Sequence, residues 1–527
     1  MRREASLFAS TGHALGFWAG CVAVTIGVLL HIPMFWMGRL NHFHLAGMPM
    51  GNGMLIGMFL IVAGFVAAAW GLMPRHATPT GSWDEIAPPE DAPLTRAHWI
   101  QIALLAGALV IDIMKAATLG FVIPGMRVEY HISFAHVALV PFAGLLGTTV
   151  GSFMWGALAD FYGRRASILL AGVIFMGTSI CGAMPSFNWN IFMCFLMGIG
   201  AGGMLPVANA LLAEIMPTRH RGWCLVLVGG IGTVGGYFAT SALSALLQPY
   251  FGWRILWLIN LPIALLLIAV SPILQESARF LQSMGRIDEA RETLARFGIT
   301  FQAHRASAPQ ALPPAPASTR SLFGVTAALT LAALAWGFVN FGVLLWLPGS
   351  LVAEGRSMGA ASALIARSSL IAIPTIALVT WLYSVWSTKR VLILSIGVTT
   401  VGLIAILLRD NNGLRLLANP IISLSLLIVG TSAVISILLP YAAESYPLRV
   451  RGRATGWVAG FSKSGGLIAQ LLGSLGLVPA LGLAAGIVAI PSIASILMIA
   501  VLCRDTRGRD LRELEASPAT TGAFAAD

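Results

Sequence analysis

Runs of about twenty apolar residues, each closed by a short polar stretch, recur from one end of this 527-residue chain to the other. At 1.5 Å of rise per residue, a run of that length as a helix matches the roughly 30 Å thickness of a bilayer's hydrocarbon layer. Two runs, near 12–32 and 51–73, form a first pair, followed by a polar, Pro-rich linker over 74–97. Six more lie near 99–122, 137–159, 166–185, 189–213, 223–248 and 254–273. A long polar connection, 275–320, carries an amphipathic stretch at 276–297 and a Pro- and Ala-rich run at 308–318. A second set of six follows near 321–347, 360–384, 390–408, 419–443, 454–477 and 480–503, and the tail from Arg504 is polar. The pattern predicts an all-α membrane protein of about fourteen spans. It divides into a helix pair with linker (1–97), a six-helix half (98–274), a central loop (275–320), a second six-helix half (321–503) and a tail (504–527). The apolar runs do not alternate with a period of two, which excludes a membrane barrel.

Composition supports the same reading. The chain is 57% hydrophobic and 10% charged, against about 25% charged in water-soluble domains. The formal net charge is +11, but the arginines sit in short loops between apolar runs, so the positive-inside rule explains the balance and no nucleic-acid partner is implied. Arg2, Arg3, Arg75, Arg164, Arg165, Arg219, Arg221, Arg279 and Lys389 fall on one side, and the thinner set Arg39, Arg127, Arg254, Arg356, Arg409 and Arg415 on the other. Both termini are therefore expected in the cytoplasm, in a multi-pass protein of the inner (plasma) membrane. The five cysteines are scattered, with neither metal spacing nor a disulfide framework. The first apolar run lacks a small-residue cleavage site and reads as a retained helix. No hydrolase or nucleotide-binding motif is present, so an enzyme or primary pump is not expected.

One turn stands out between two spans: Gly156-Ala-Leu-Ala-Asp160-Phe-Tyr-Gly163-Arg164-Arg165. Gly156 permits close packing of a helix end, Gly163 a backbone conformation other residues resist, and Asp160 suits the orphan amides of a helix start. The turn resembles the G-x-L-a-D-r-x-G-R-R signature of the major facilitator superfamily. A repeat accompanies it: Glu214-x-x-Pro217-x-Arg219-x-Arg221-Gly222 recurs as Glu444-x-x-Pro447-x-Arg449-x-Arg451-Gly452. Parallel repeats with a binding site between halves are how this transporter fold is built. Glu276-Ser-Ala-Arg279-Phe-Leu, followed by Gly285-Arg286 and Glu289-Ala290, is similar to the P-E-S-P-R-[WF]-L…G-R…E-A pattern of sugar porters and metabolite:proton symporters, with both prolines replaced. The resemblance covers about residues 98–505 and implies two six-helix halves, alternating access and a proton gradient in place of a cofactor. Glu214, Arg221, Glu276, Arg279, Glu444 and Arg451, with the Gly156–Arg165 turn, are the expected gating network. A monomer with a small-molecule substrate is expected.

Ionisable groups inside the hydrocarbon mark pathways. Asp112 lies mid-span, and Lys115 follows about 60° round the helix, close enough to pair with it. Aromatic-acid:proton symporters carry an Asp at about this place, in a D-G-[YF]-D setting that here reads Asp112-Ile-Met-Lys115. Lysine occurs only at 115, 389 and 463 in an arginine-rich chain. Lys115, Arg367 and Lys463, if they share a cavity with Asp112, favour an anionic substrate. Asn340, Trp336 and Trp346 are further candidates to line it. The expected function is proton-coupled symport of a small organic solute, a carboxylate, with Asp112 as the proton site and Lys115, Arg367, Lys463 and Asn340 contacting substrate. A sugar or other neutral metabolite is the alternative substrate. The Met- and His-rich stretch with His42, His44, Met48 and Met50 offers soft ligands that suit Cu(I), so copper handling is a separate alternative.

Overall fold

The computed structural model describes residues 7–74, 93–298, 319–408, 419–446 and 448–506, apart from the side chains of 218, 319–321 and 448–452. The linker core, the 308–318 run, Arg409, Arg415, most of the tail and the side chain of Arg451 lie outside that set.

Among the described residues every regular element is helical. Thirteen helices among the described residues are long and apolar enough to cross a membrane. They are α1 Thr11–Asn41, α2 Asn52–Gly71, α3 Arg96–Glu129, α4 Phe134–Tyr162, α5 Arg164–Ala183, α6 Phe187–Ile215, α7 Arg219–Phe251 and α8 Ile255–Ile273 in the first part of the chain. Two short helices, α9 Ala278–Ser283 and α10 Ile287–Arg296, occupy the expected amphipathic stretch. Then come α11 Leu322–Ala353, α12 Met358–Val385, α13 Thr388–Leu407 and α14 Pro420–Ser445. Next is α15 Leu448–Ser474, and last α16 Leu481–Leu502. The fourteenth long helix, α15, is the most polar, carrying Arg453 and Lys463.

The helices overrun the predicted apolar windows. The first core span, expected at 99–122, runs from Arg96 to Glu129 with Pro124 inside it. Backbone hydrogen bonding continues through the headgroup layer after the side chains turn polar, so hydropathy locates a span but not its ends. Side chains on the perimeter remain bare and apolar, with Phe59 72% and Val501 80% exposed, as lipid-facing surfaces require.

The extra pair α1–α2 crosses where Gly20 meets the Gly64 carbonyl and Gly27 meets the Gly57 carbonyl, with no room for a Cβ. Without a hydrophobic drive between helices in lipid, small residues that admit close backbone contact supply the packing. The pair docks on α5, where Gly177 sits against Ile61 and Val24.

Candidate functional site

The turn between α4 and α5 is present, but Asp160 does not cap the helix that follows it: it is exposed and, among the described residues, pairs only with the Arg164 side chain. Gly163 joins α4 to α5 at φ +95°, and an added Cβ would run into the Glu276 carboxylate and the Phe280 ring. That carboxylate caps α5: it accepts the amides of Arg164 at 3.0 Å and Arg165 at 3.1 Å, and that of Ser277 at 2.9 Å. A carboxylate at a helix start satisfies orphan amides and meets the positive end of the helix dipole. Burial still pushes the Glu276 carboxyl above its usual range, against those amides and the Arg164 charge. Arg164 bridges Asp160 at 3.3 Å and Glu214 at 3.2 Å. Arg165 donates to the Ser271 carbonyl at 2.9 Å. On the second half, Glu444 accepts from Tyr383 at 2.8 Å and Thr506 at 2.7 Å. Gly222 of α7 abuts Tyr383 and Glu444, closing the halves against each other at this end. Arg221 is half-buried here, and Arg279 is exposed. Close packing at Gly156 is not found: a Cβ there would meet nothing within 4 Å, because that face of α4 is open.

Between the halves, near mid-length of the spans, lies a small cavity of about 50 Å³. Its walls include Asp112 of α3, Tyr237 of α7, Trp336, Asn340 and Phe341 of α11, and Lys463 of α15. Asp112 is 4% exposed, and its Oδ1 has no hydrogen-bond partner among the described residues. Lys463 lines the same cavity as Asp112, and Lys115 does not. Lys463 also stands 5.5 Å over the Phe341 ring, and Trp336 meets that ring edge-on at 5.6 Å. The acid and the lysine come from opposite halves.

Lys115 is placed differently from the expected Asp112 pair. Fully buried, it turns into α5, donating to the Phe175 carbonyl at 2.5 Å and the Thr178 hydroxyl at 2.6 Å. Arg367 is exposed on α12 and does not line that cavity. A 60° offset on a helix lets two side chains meet but does not oblige them to when a third element offers better acceptors. Asn340 does face the cavity, its Oδ1 accepting from Tyr237 at 3.2 Å. His42 and His44 are exposed, and Met48 and Met50 half-buried. No group of three or more His, Cys, Asp or Glu is arranged to hold a metal among the described residues.

Two features escaped sequence reasoning. Tyr237 and Phe341 line the cavity, although the only trace of Tyr237 was a phenol in mid-span. The other is a buried ion pair at the end of the bundle opposite the gating turn. Glu129 meets Arg254 at 2.6 Å, both side chains at most 1% exposed. Glu129 also accepts the amides of Leu45 at 2.6 Å and Ala46 at 3.0 Å, and the Trp253 indole N–H at 2.8 Å. Arg254 donates to the Met184 carbonyl at 2.7 Å and the Tyr130 hydroxyl at 3.0 Å. The α1–α2 loop is thereby fastened to the end of the helix that carries Asp112.

Two six-helix halves enclosing a cavity lined by Asp112 and Lys463 form the architecture of a membrane transporter. The Major Facilitator Superfamily profile matches residues 105–470, and the chain belongs to that family. The match begins beyond the α1–α2 pair. A niacin transporter of Acinetobacter baylyi is 24% identical over 73% of this chain and 88% of its own length. The 4-hydroxybenzoate transporter of Pseudomonas putida is 28% identical over 72% of this chain and 87% of its own. The gallate transporter of Pseudomonas putida is also 28% identical, over 76% and 92%. In fold the chain is similar to the xylose transporter XylE of E. coli, with a TM-score of 0.62 at 15% identity, covering 79% of this chain and 100% of that one.

Proposed function

We propose that this transporter carries a small aromatic monocarboxylate across the plasma membrane by proton-coupled symport, its termini in the cytoplasm. The observation that carries the reading is the opposition of Asp112 and Lys463 from different halves in a cavity walled by Trp336, Phe341 and Tyr237. Lys463 is the contact for the carboxylate, the aromatic side chains stack on the ring, and the Asn340 amide meets a ring substituent. In the empty site Asp112 balances Lys463. A proton on Asp112 releases Lys463 to the substrate anion, so that proton and anion enter the cavity together with no net charge added. The names of the niacin, 4-hydroxybenzoate and gallate transporters point to the same chemistry. At about 50 Å³ the cavity is far smaller than the 300–1,000 Å³ typical of ligand pockets, so the halves must part for a substrate to bind and rock to release it.

The test is uptake of nicotinate and 4-hydroxybenzoate into proteoliposomes under an inward proton gradient. Asp112→Asn should abolish accumulation while leaving substrate exchange. Lys463→Gln should raise KM roughly 10- to 100-fold, from the loss of a charge-assisted contact of about 1.5–3 kcal/mol. Accumulation that survives in Asp112→Asn puts the proton site elsewhere. Uptake of neutral sugars in place of the acids would overturn the substrate class.

A further inference from the structure

Beyond the central cavity, toward the end of the bundle opposite the gating turn, lies a second and much larger space of about 1130 Å³. The two share one wall. In α11, residues Val339–Leu344 are wound as a π-helix; Asn340 and Phe341 face the small cavity, while Phe338 and Gly342 on the same stretch face the large one. Close by, α3 approaches α11 with Gly120 against the carbonyl of Leu345, which also lines the small cavity. Just past it stands Trp346, whose indole N–H donates to Gln470 at 3.0 Å. Its ring meets Phe134 of the first half edge-on at 5.6 Å.

The large cavity is lined mostly by aliphatic side chains, with a few aromatic and polar groups among them. Phe134, Phe338 and Trp346 supply aromatic walls. Arg127, near the end of α3, faces the cavity, is exposed and makes no ion pair among the described residues. His131 lies beside it. Glu354, the acid on the same rim, is already engaged in an interaction of its own. An unpaired guanidinium over an aromatic-walled cavity suits a planar carboxylate, which it grips with two parallel hydrogen bonds.

We propose that the large cavity is a second binding site for the transported aromatic carboxylate, a vestibule with Arg127 as its anion contact and Trp346 as the plug between it and the central site. The proposal rests on the substrate class inferred above. The vestibule is the waiting position on the path: the carboxylate moves from Arg127 to Lys463 when Trp346 gives way, passing from one cation to the next along the shared α11 wall.

The experiment is equilibrium binding of radiolabelled 4-hydroxybenzoate to the full-length protein in nanodiscs, with 4-hydroxybenzamide as the neutral competitor. Wild type should bind at two sites. Lys463→Gln should remove one. Arg127→Gln, at an exposed position where folding is not at stake, should weaken the other at least tenfold and leave the first unchanged, and Arg127→Lys should restore part of the loss. The neutral amide should not compete at the Arg127-dependent site. A single site lost in Lys463→Gln and untouched by Arg127→Gln would overturn the vestibule and leave the substrate class standing. A cavity filled by co-purifying phospholipid that 4-hydroxybenzoate does not displace would overturn it too. No binding at either site in wild type would overturn both.

Discussion

Three lysines divide their labour by what each can reach. Lys389 lies at the start of α13, its Nζ donating to the Ala500 carbonyl at 2.7 Å. Lys115 is held by α5, and Lys463 alone stands in the central cavity. Gly163 shows how narrowly one residue type can be required. At φ +95° a side chain is strained, and a Cβ would also strike the Glu276 carboxylate. Gly163→Ala should lower stability by about 1–3 kcal/mol, read as a drop in melting temperature of the purified protein; an unchanged melt would show that the turn relaxes freely. Glu276 itself makes a pH prediction. Its folded pKa lies above the 4.5 of a free side chain because burial disfavours the charge. Its titration therefore stabilises the fold fully below 4.5, and that contribution is lost as pH rises through the folded value. Glu276→Gln, which cannot titrate, should lack this component. The melting temperature of wild type minus that of the variant should decline as pH rises from 4.5, and a flat difference would sink the assignment.

At the scale of elements, the π-helical stretch of α11 and the buried end of α3 carry the architecture. A π-turn leaves backbone carbonyls without their usual partners, and here cross-helix donors take them. Tyr237 reaches the Asn340 carbonyl at 3.4 Å, and Gln470 donates to that of Phe341. The distortion is thus tied to both halves. Glu129 ends α3 and receives donors from the α1–α2 loop, α3's neighbours and Arg254. Removing one partner of a buried pair leaves the other charge uncompensated, at about 3–5 kcal/mol. Glu129→Ala should therefore destabilise strongly and loosen the α1–α2 loop, detected as faster amide exchange at Leu45 and Ala46. Protection at those two amides equal to wild type would show that the pair is anchored elsewhere.

Across the whole molecule, the two halves meet at both ends of the small central cavity. Gly222 abuts Tyr383 and Glu444 at the gating-turn end. Toward the other end, Ser244 of α7 and Ser362 of α12 share a buried hydrogen bond at 2.7 Å. Transport by rocking requires the second contact to break. A Ser244→Cys/Ser362→Cys pair, oxidised to a disulfide, should stop uptake, and reduction should restore it. Full uptake with the cross-link verified would mean that the halves do not part there.

Hydropathy and turn chemistry were sufficient for the helical class, the approximate spans, the two related halves, the extra pair and the position of the glycine turn between α4 and α5. These are local properties: twenty apolar residues must be helical in lipid, and a glycine between two spans has few other uses. The site was legible only in part. Asp112, Lys463 and Asn340 stood out as polar groups in apolar runs, and they do converge. Which way Lys115 turns, that Arg367 faces outward, and that Tyr237 and Phe341 complete the cavity depend on what the neighbouring helices offer. So do the π-helix, the Glu129–Arg254 pair and the large cavity. Each is a relation between residues far apart in the chain, set by competition among acceptors and by the fit of one helix against another, and no stretch of sequence holds both sides of it.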